Sequence, residues 1–127
     1  GLGMREFTEQ LLFWLLKPER FENSGFMDAL IEYAIQDPFP QTKQGFRGQI
    51  DALINYQMDN RIQNITCETL IVRGSHDILN TREESIKLYD SLKCKKHMCV
   101  VENSGHSIHV ENPAASTKAV LDFLKQQ

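Results

Sequence analysis

No apolar run in this 127-residue chain approaches the roughly 18 residues that a membrane-spanning helix needs. The longest, Leu11-Leu12-Phe13-Trp14-Leu15-Leu16, is soon followed by Pro18, so no membrane partner is expected. There is no surplus of positive charge. Fourteen Lys and Arg stand against 17 Asp and Glu, a net charge of −3, and no basic face is evident, which argues against a nucleic-acid partner. Cysteine is scarce and unpatterned. Cys67, Cys94 and Cys99 lack metal-ligand spacing, and an odd count suits a reducing compartment better than a disulfide framework. A cytoplasmic protein without metal or cofactor is therefore expected. The first residues carry no signal-peptide pattern, and the chain holds no internal repeat and no low-complexity segment.

What remains is ordinary globular composition, 41% hydrophobic and 24% charged, at the length of one domain or a piece of one. The pattern first predicts helices. Residues 5–16 form the first, with Phe7, Leu11, Trp14 and Leu15 on one face. Leu12, Phe13 and Leu16 widen that stripe, so this helix is expected to be covered on two sides. Ser24 is placed to cap a second helix over 26–36, and Asp37-Pro38-Phe39-Pro40 ends it as a rigid turn. A third helix spans 43–59, with Phe46, Ile50, Leu53, Ile54 and Gln57 as its inner face.

Near Ile65 the character changes. Thr69-Leu70-Ile71-Val72 is a short β-branched apolar run, read as a buried parallel strand. Thr81-Arg82-Glu83-Glu84 is a capping box, opening a helix through Leu92 with Ile86, Tyr89 and Leu92 inward. Residues 93–97 read as a polar loop and 98–102 as a second strand. Asn112 caps a last helix that carries Pro113 at its first position, with Val120, Leu121 and Leu124 inward. Two strands joined by a helix make a right-handed βαβ unit. The organisation expected is a helical segment, residues 1–64, followed by a β-α-β-α part, residues 65–127.

Each strand runs into a glycine-containing loop. The first is Gly74-Ser75-His76-Asp77, the second Gly105-His106-Ser107-Ile108-His109-Val110-Glu111-Asn112-Pro113. Asp77 and His106 thus follow neighbouring parallel strands at the carboxyl edge, where open α/β sheets place their chemistry. A carboxylate there can orient an imidazole and stabilise its charged form, leaving the imidazole to act as base and then acid. His76 and His97 read as exposed loop residues.

These residues carry a resemblance. From Phe46-Arg47-Gly48-Gln49-Ile50-Asp51-Ala52 through Arg61-Ile62-Gln63-Asn64-Ile65 to Cys67-Glu68-Thr69-Leu70-Ile71-Val72-Arg73-Gly74-Ser75-His76-Asp77, the chain resembles the α/β-hydrolase superfamily where its chain leaves the cap and enters the last core strands. Gly105-His106, His109, Glu111 and Pro113 resemble the family's histidine loop, and the preceding helices resemble its cap. The likeness is nearest to small ester, enol-lactone and carbon–carbon bond hydrolases. It implies an α/β fold, an incomplete α/β-hydrolase with a helical cap segment and two parallel strands. It implies Asp77 as triad acid and His106 as triad base, with His109 and Glu111 shaping the loop. Trp14, Phe13 and Phe46 are candidates to line a pocket for a small acyl substrate. Glu68 departs from the proline usual before the first of these strands.

A larger departure concerns the nucleophile. That family holds it on a Gly-x-Ser-x-Gly elbow, and none of Ser24, Ser75, Ser85, Ser91, Ser104, Ser107 and Ser116 has that setting. Cys67 begins a strand rather than following one. The chain is therefore expected to be the carboxyl-terminal portion of a Ser-His-Asp hydrolase, inert alone because nothing in it can be acylated. A cut sheet leaves an unpaired apolar strand edge that recruits another chain. A homo-oligomer, or pairing with the amino-terminal half, is expected; a mass equal to the 14.6 kDa monomer at micromolar concentration would contradict the homo-oligomer. Two alternatives stay open. One is haloperoxidase- or lyase-like chemistry on the same fold, without a cofactor. The other is a non-catalytic binding module using Phe13, Trp14 and Leu16 as an exposed face.

Overall fold

The computed structural model describes residues 3–56 and 60–126. In chain order it has α1 (Met4–Leu15), a 3-10 turn (Pro18–Glu22), α2 (Ser24–Ile35), α3 (Lys43–Asn55), a second 3-10 turn (Asn60–Asn64), β1 (Thr69–Gly74), α4 (Arg82–Ser91), β2 (Lys96–Val101), α5 (Ile108–Glu111) and α6 (Pro113–Leu124). The two strands are parallel, with Thr69 opposite Lys96 and Gly74 opposite Val101. No helix among the described residues is long and apolar enough to cross a membrane.

Leu92 and Val101 are buried in the β-α-β-α part, and an apolar cluster lies in the helical portion. Leu12 and Leu16 from α1 and its end pack with Met27 and Ile31 of α2, and Phe21, Phe26, Leu30 and Val110 close around them. The buried stripe of α1 is therefore Thr8, Leu12 and Leu16, not the expected Phe7, Leu11 and Trp14, which are exposed. Both stripes have helical spacing, and α2 folds back on only one of them. Among the described residues Phe7, Leu11, Phe13 and Trp14 stay exposed, and Arg5 ties the hairpin's open end, pairing with Asp28 and with Glu32 at 3.0 Å.

Local capping explains several boundaries. Asn23, not Ser24, caps α2; its side chain accepts the Phe26 N–H at 3.0 Å. A carboxamide one residue earlier reaches the free N–H, and Ser24 becomes the first helical residue. Thr42 caps α3, and Thr81 with Glu84 forms the capping box of α4. Asn112 caps α6 and Pro113 opens it. The third helix ends at Asn55, earlier than expected; residues 57–59, including Gln57, lie outside the described residues.

Three faces expected inward are open. No described residue of α3 is buried, and Leu53 and Ile54 are 68% and 74% exposed. Val120, Leu121 and Leu124 of α6 are exposed, as is Ile86 of α4, while Leu92 is buried. A two-stranded sheet has too little surface to cover them. For the same reason Leu70, Ile71 and Val72 are half-buried rather than buried. The second strand begins at Lys96, so His97 is a half-buried strand residue, not a loop residue. Glu68 explains it: its carboxylate meets His97 Nε2 at 2.7 Å and Lys95 Nζ at 2.8 Å.

Candidate active site

The two loops at the carboxyl ends of β1 and β2 are joined backbone to backbone. Ser75 N–H donates to Val101 O at 3.0 Å, and His76 N–H to Ser104 O at 2.8 Å. The Ser75 hydroxyl accepts the Asn103 N–H at 2.9 Å. Asn103 turns the chain out of β2 with φ 55°, a left-handed conformation that asparagine tolerates better than most residues. Gly74 is required by the closeness of this junction: a Cβ there would lie 2.0 Å from Gly105 O and 2.4 Å from Ser104 O.

This junction sets Asp77 against His106. One oxygen of Asp77, Oδ1, accepts the N–H groups of Leu79 and Asn80, both at 2.9 Å. That turn fixes the carboxylate. Its other oxygen, Oδ2, lies 3.1 Å from His106 Nδ1. The Asp77 side chain is 5% exposed and that of His106 36%, so the acid is enclosed and the imidazole reaches the surface. A carboxylate only accepts, so Nδ1 carries a proton, and in the neutral ring Nε2 then holds the free lone pair. That tautomer is the one a general base needs.

Asn80 is a neighbour that sequence reasoning missed. Its Nδ2 is 3.3 Å from His106 Nδ1. Because Nδ1 is already a donor to Asp77, the carboxamide turned with its oxygen toward the ring is the orientation that fits. The signal was present in the sequence: Asn80 follows Asp77 by one turn and precedes the helix cap Thr81. His76, as expected, is exposed, with its ring on the Ser75 hydroxyl at 2.9 Å. His109 is exposed on α5. Glu111 is buried and accepts the Gly105 N–H, in keeping with a part in shaping the histidine loop.

Phe13 stacks on Phe21, ring centroids 4.2 Å apart. Phe13, Trp14 and Phe46 are all exposed. Two cavities touch the histidine loop: one of about 520 Å³, lined by Leu15, Leu16, Leu30, Pro38, Ser107 and Val110 among others, and one of about 390 Å³, lined by Val72, Ile108, His109 and Val120 among others; none of those three lines either. The first is largely apolar and built mostly from the α1–α2 hairpin. The three cysteines are free thiols, and among the described residues no group of His, Cys, Asp and Glu could hold a metal ion.

The arrangement of helices and parallel strands that holds this pair recurs in solved structures. A protein described as a non-haem bromoperoxidase from Mycobacterium tuberculosis superposes with a TM-score of 0.83 at 17% identity, over 99% of this chain and 46% of its own. An enol-lactonase from Burkholderia xenovorans gives 0.78 at 22% identity, over 97% of this chain and 45% of its own. An esterase from Thermogutta terrifontis gives 0.72 at 18% identity, over 94% and 43%. Nearly all of the chain matches one part of the α/β-hydrolase fold, and it spans less than half the length of these structures. No family model matches the chain, and no curated protein matches it by sequence.

Proposed function

We propose that this chain is the carboxyl-terminal portion of a Ser-His-Asp hydrolase and supplies its acid and base. Asp77 orients His106; His106 Nε2 takes the proton of a nucleophile and returns it to the leaving group. The substrate is a small molecule with an ester, lactone or similar acyl bond. The nucleophile and the oxyanion donors come from the amino-terminal half of the fold, which pairs along the open edge of β1; without it, a second copy of the chain covers that edge but supplies no nucleophile. The complete protein works in the cytoplasm, residues 1–64 serving as cap and 65–127 as core. The observation that carries this reading is the 3.1 Å approach of His106 Nδ1 to an Asp77 carboxylate whose other oxygen is held by two backbone N–H groups.

One observation favours a second reading. The protein with the TM-score of 0.83 is described as a bromoperoxidase, so other chemistry on the same fold would keep His106 and change the substrate.

The test is mass spectrometry of the purified chain after exposure to a fluorophosphonate. The expected result is an unmodified mass. A covalent adduct on a particular Ser or Cys, lost on His106→Ala, would show that the chain holds its own nucleophile and would overturn the division of labour proposed.

A further inference from the structure

We propose that Glu111 is a positioning residue that couples the orientation of His106 to the end of helix α1. This rests on the reading of His106 as the base. The Glu111 side chain has no exposure to solvent, and a buried carboxylate is tolerated only when its oxygens are occupied. Here they are occupied from two directions. Oε2 accepts the N–H of Gly105, the residue before His106. Oε1 accepts the N–H of Lys17 at 3.1 Å, 94 residues away in sequence. Arg20 supplies the countercharge, with its Nε 3.5 Å from Oε1, and its guanidinium donates to the Glu111 backbone carbonyl.

The residue on the other side of His106 is tied to the same helix end. Ser107 N–H donates to Leu15 O at 2.9 Å. A Cβ on Gly105 would meet the Leu16 carbonyl carbon and Lys17 nitrogen, both at 3.0 Å, so the two backbones lie in direct contact. His106 is thus held between two residues that are each anchored on 15–17. A carboxylate that only shaped its own loop would need Gly105 alone. One that also takes Lys17 and Arg20 carries a displacement of the helical hairpin to the imidazole, and the hairpin lines the apolar cavity that reaches Ser107. A ligand that shifts α1 would therefore shift His106 against Asp77.

The experiment uses nitrogen-15-labelled full chain as wild type, Asp77→Ala, Glu111→Gln and Arg20→Gln. It reads the His106 ring nitrogens and the amide exchange of Gly105, Lys17 and the core residues Ile31 and Val101. Arg20 lies far in sequence from the histidine loop, so it separates coupling from local shaping. In both Glu111→Gln and Arg20→Gln, the Gly105 and Lys17 amides should exchange at least tenfold faster. The His106 Nδ1 signal should move toward that of Asp77→Ala, with Ile31 and Val101 unchanged. If the wild type and Asp77→Ala give the same ring signal, the reading of the pair fails, and this proposal with it. If they differ but Arg20→Gln keeps the wild-type signal, the coupling alone is overturned. Should Glu111→Gln not fold, Arg20→Gln decides.

Discussion

The loops that bring Asp77 and His106 together and the helix α3 relate pattern to packing in opposite ways. The loops contain few apolar residues and no periodicity, yet their backbones are joined by 2.8–3.0 Å hydrogen bonds and Ser104 is fully buried. Helix α3 carries an apolar stripe at helical spacing, Phe46, Ile50, Leu53 and Ile54, and buries none of it. Periodicity says that a face exists, not what covers it. Order in the loops comes from backbone groups that must find partners, and those partners are supplied within the chain. Cover for an apolar face must come from another surface, and the two-stranded sheet has none to spare.

That contrast can be broken by substitution, beginning where the largest effect is expected. Gly74→Ala puts a Cβ 2.0 Å from the Gly105 carbonyl oxygen. Backbone cannot yield as a side chain end can, so a loss of about 3 kcal/mol or more is expected, at the upper end for overpacking. Chemical denaturation followed by circular dichroism checks it; an unchanged midpoint would mean that the loops are not in contact. Next comes the core between α1 and α2. Ile31 is 2% exposed, and Ile31→Ala should cost about 2–4 kcal/mol by lost burial and the cavity left behind. A loss below that range would place the stabilising core elsewhere.

Much smaller changes are expected on α3. Leu53→Gln and Ile54→Gln remove apolar groups that touch little, and each should alter stability by under about 0.5 kcal/mol. A larger loss in the same denaturation experiment would show that this face is covered in solution. The smallest effect concerns the capping box of α4. The Thr81 backbone N–H, then its hydroxyl, hold the Glu84 carboxyl below its ordinary value of 4.5. A depressed folded-state value means that the ionised form stabilises the fold above the ordinary carboxylate range, and that this contribution is lost as pH falls through the folded value. Glu84→Gln should therefore be slightly less stable than wild type at neutral pH and level with it in acid. A gap that stays constant with pH would contradict the cap.

Much of the site was legible in the sequence because its determinants are local. Glycine after an apolar β-branched run marks the end of β1, with Asp77 three residues on, and the Gly105-His106 pair marks the loop after β2. Thr81 with Glu84, and Asn112 with Pro113, announce their helices by hydrogen-bond reach over three residues. What was not legible depends on long-range choice. Helix α1 offers two apolar stripes, and only the return of α2 selects Leu12 and Leu16 over Phe7 and Trp14. In the sequence Glu68 is only a departure from a pattern, because its approach to Lys95 and His97 exists only once β1 and β2 pair. Glu111 was read as shaping its loop; its reach to Lys17 and Arg20 crosses more than ninety residues, which no local pattern encodes.

The most direct test of the central claim is the tautomer of His106 in the intact chain, read from its ring nitrogen-15 shifts at neutral pH. With Asp77 accepting from Nδ1, the neutral ring is expected to carry its proton on Nδ1, not Nε2, and the spectrum to change in Asp77→Ala. A neutral ring protonated at Nε2, or a spectrum identical in the two proteins, would contradict the claim.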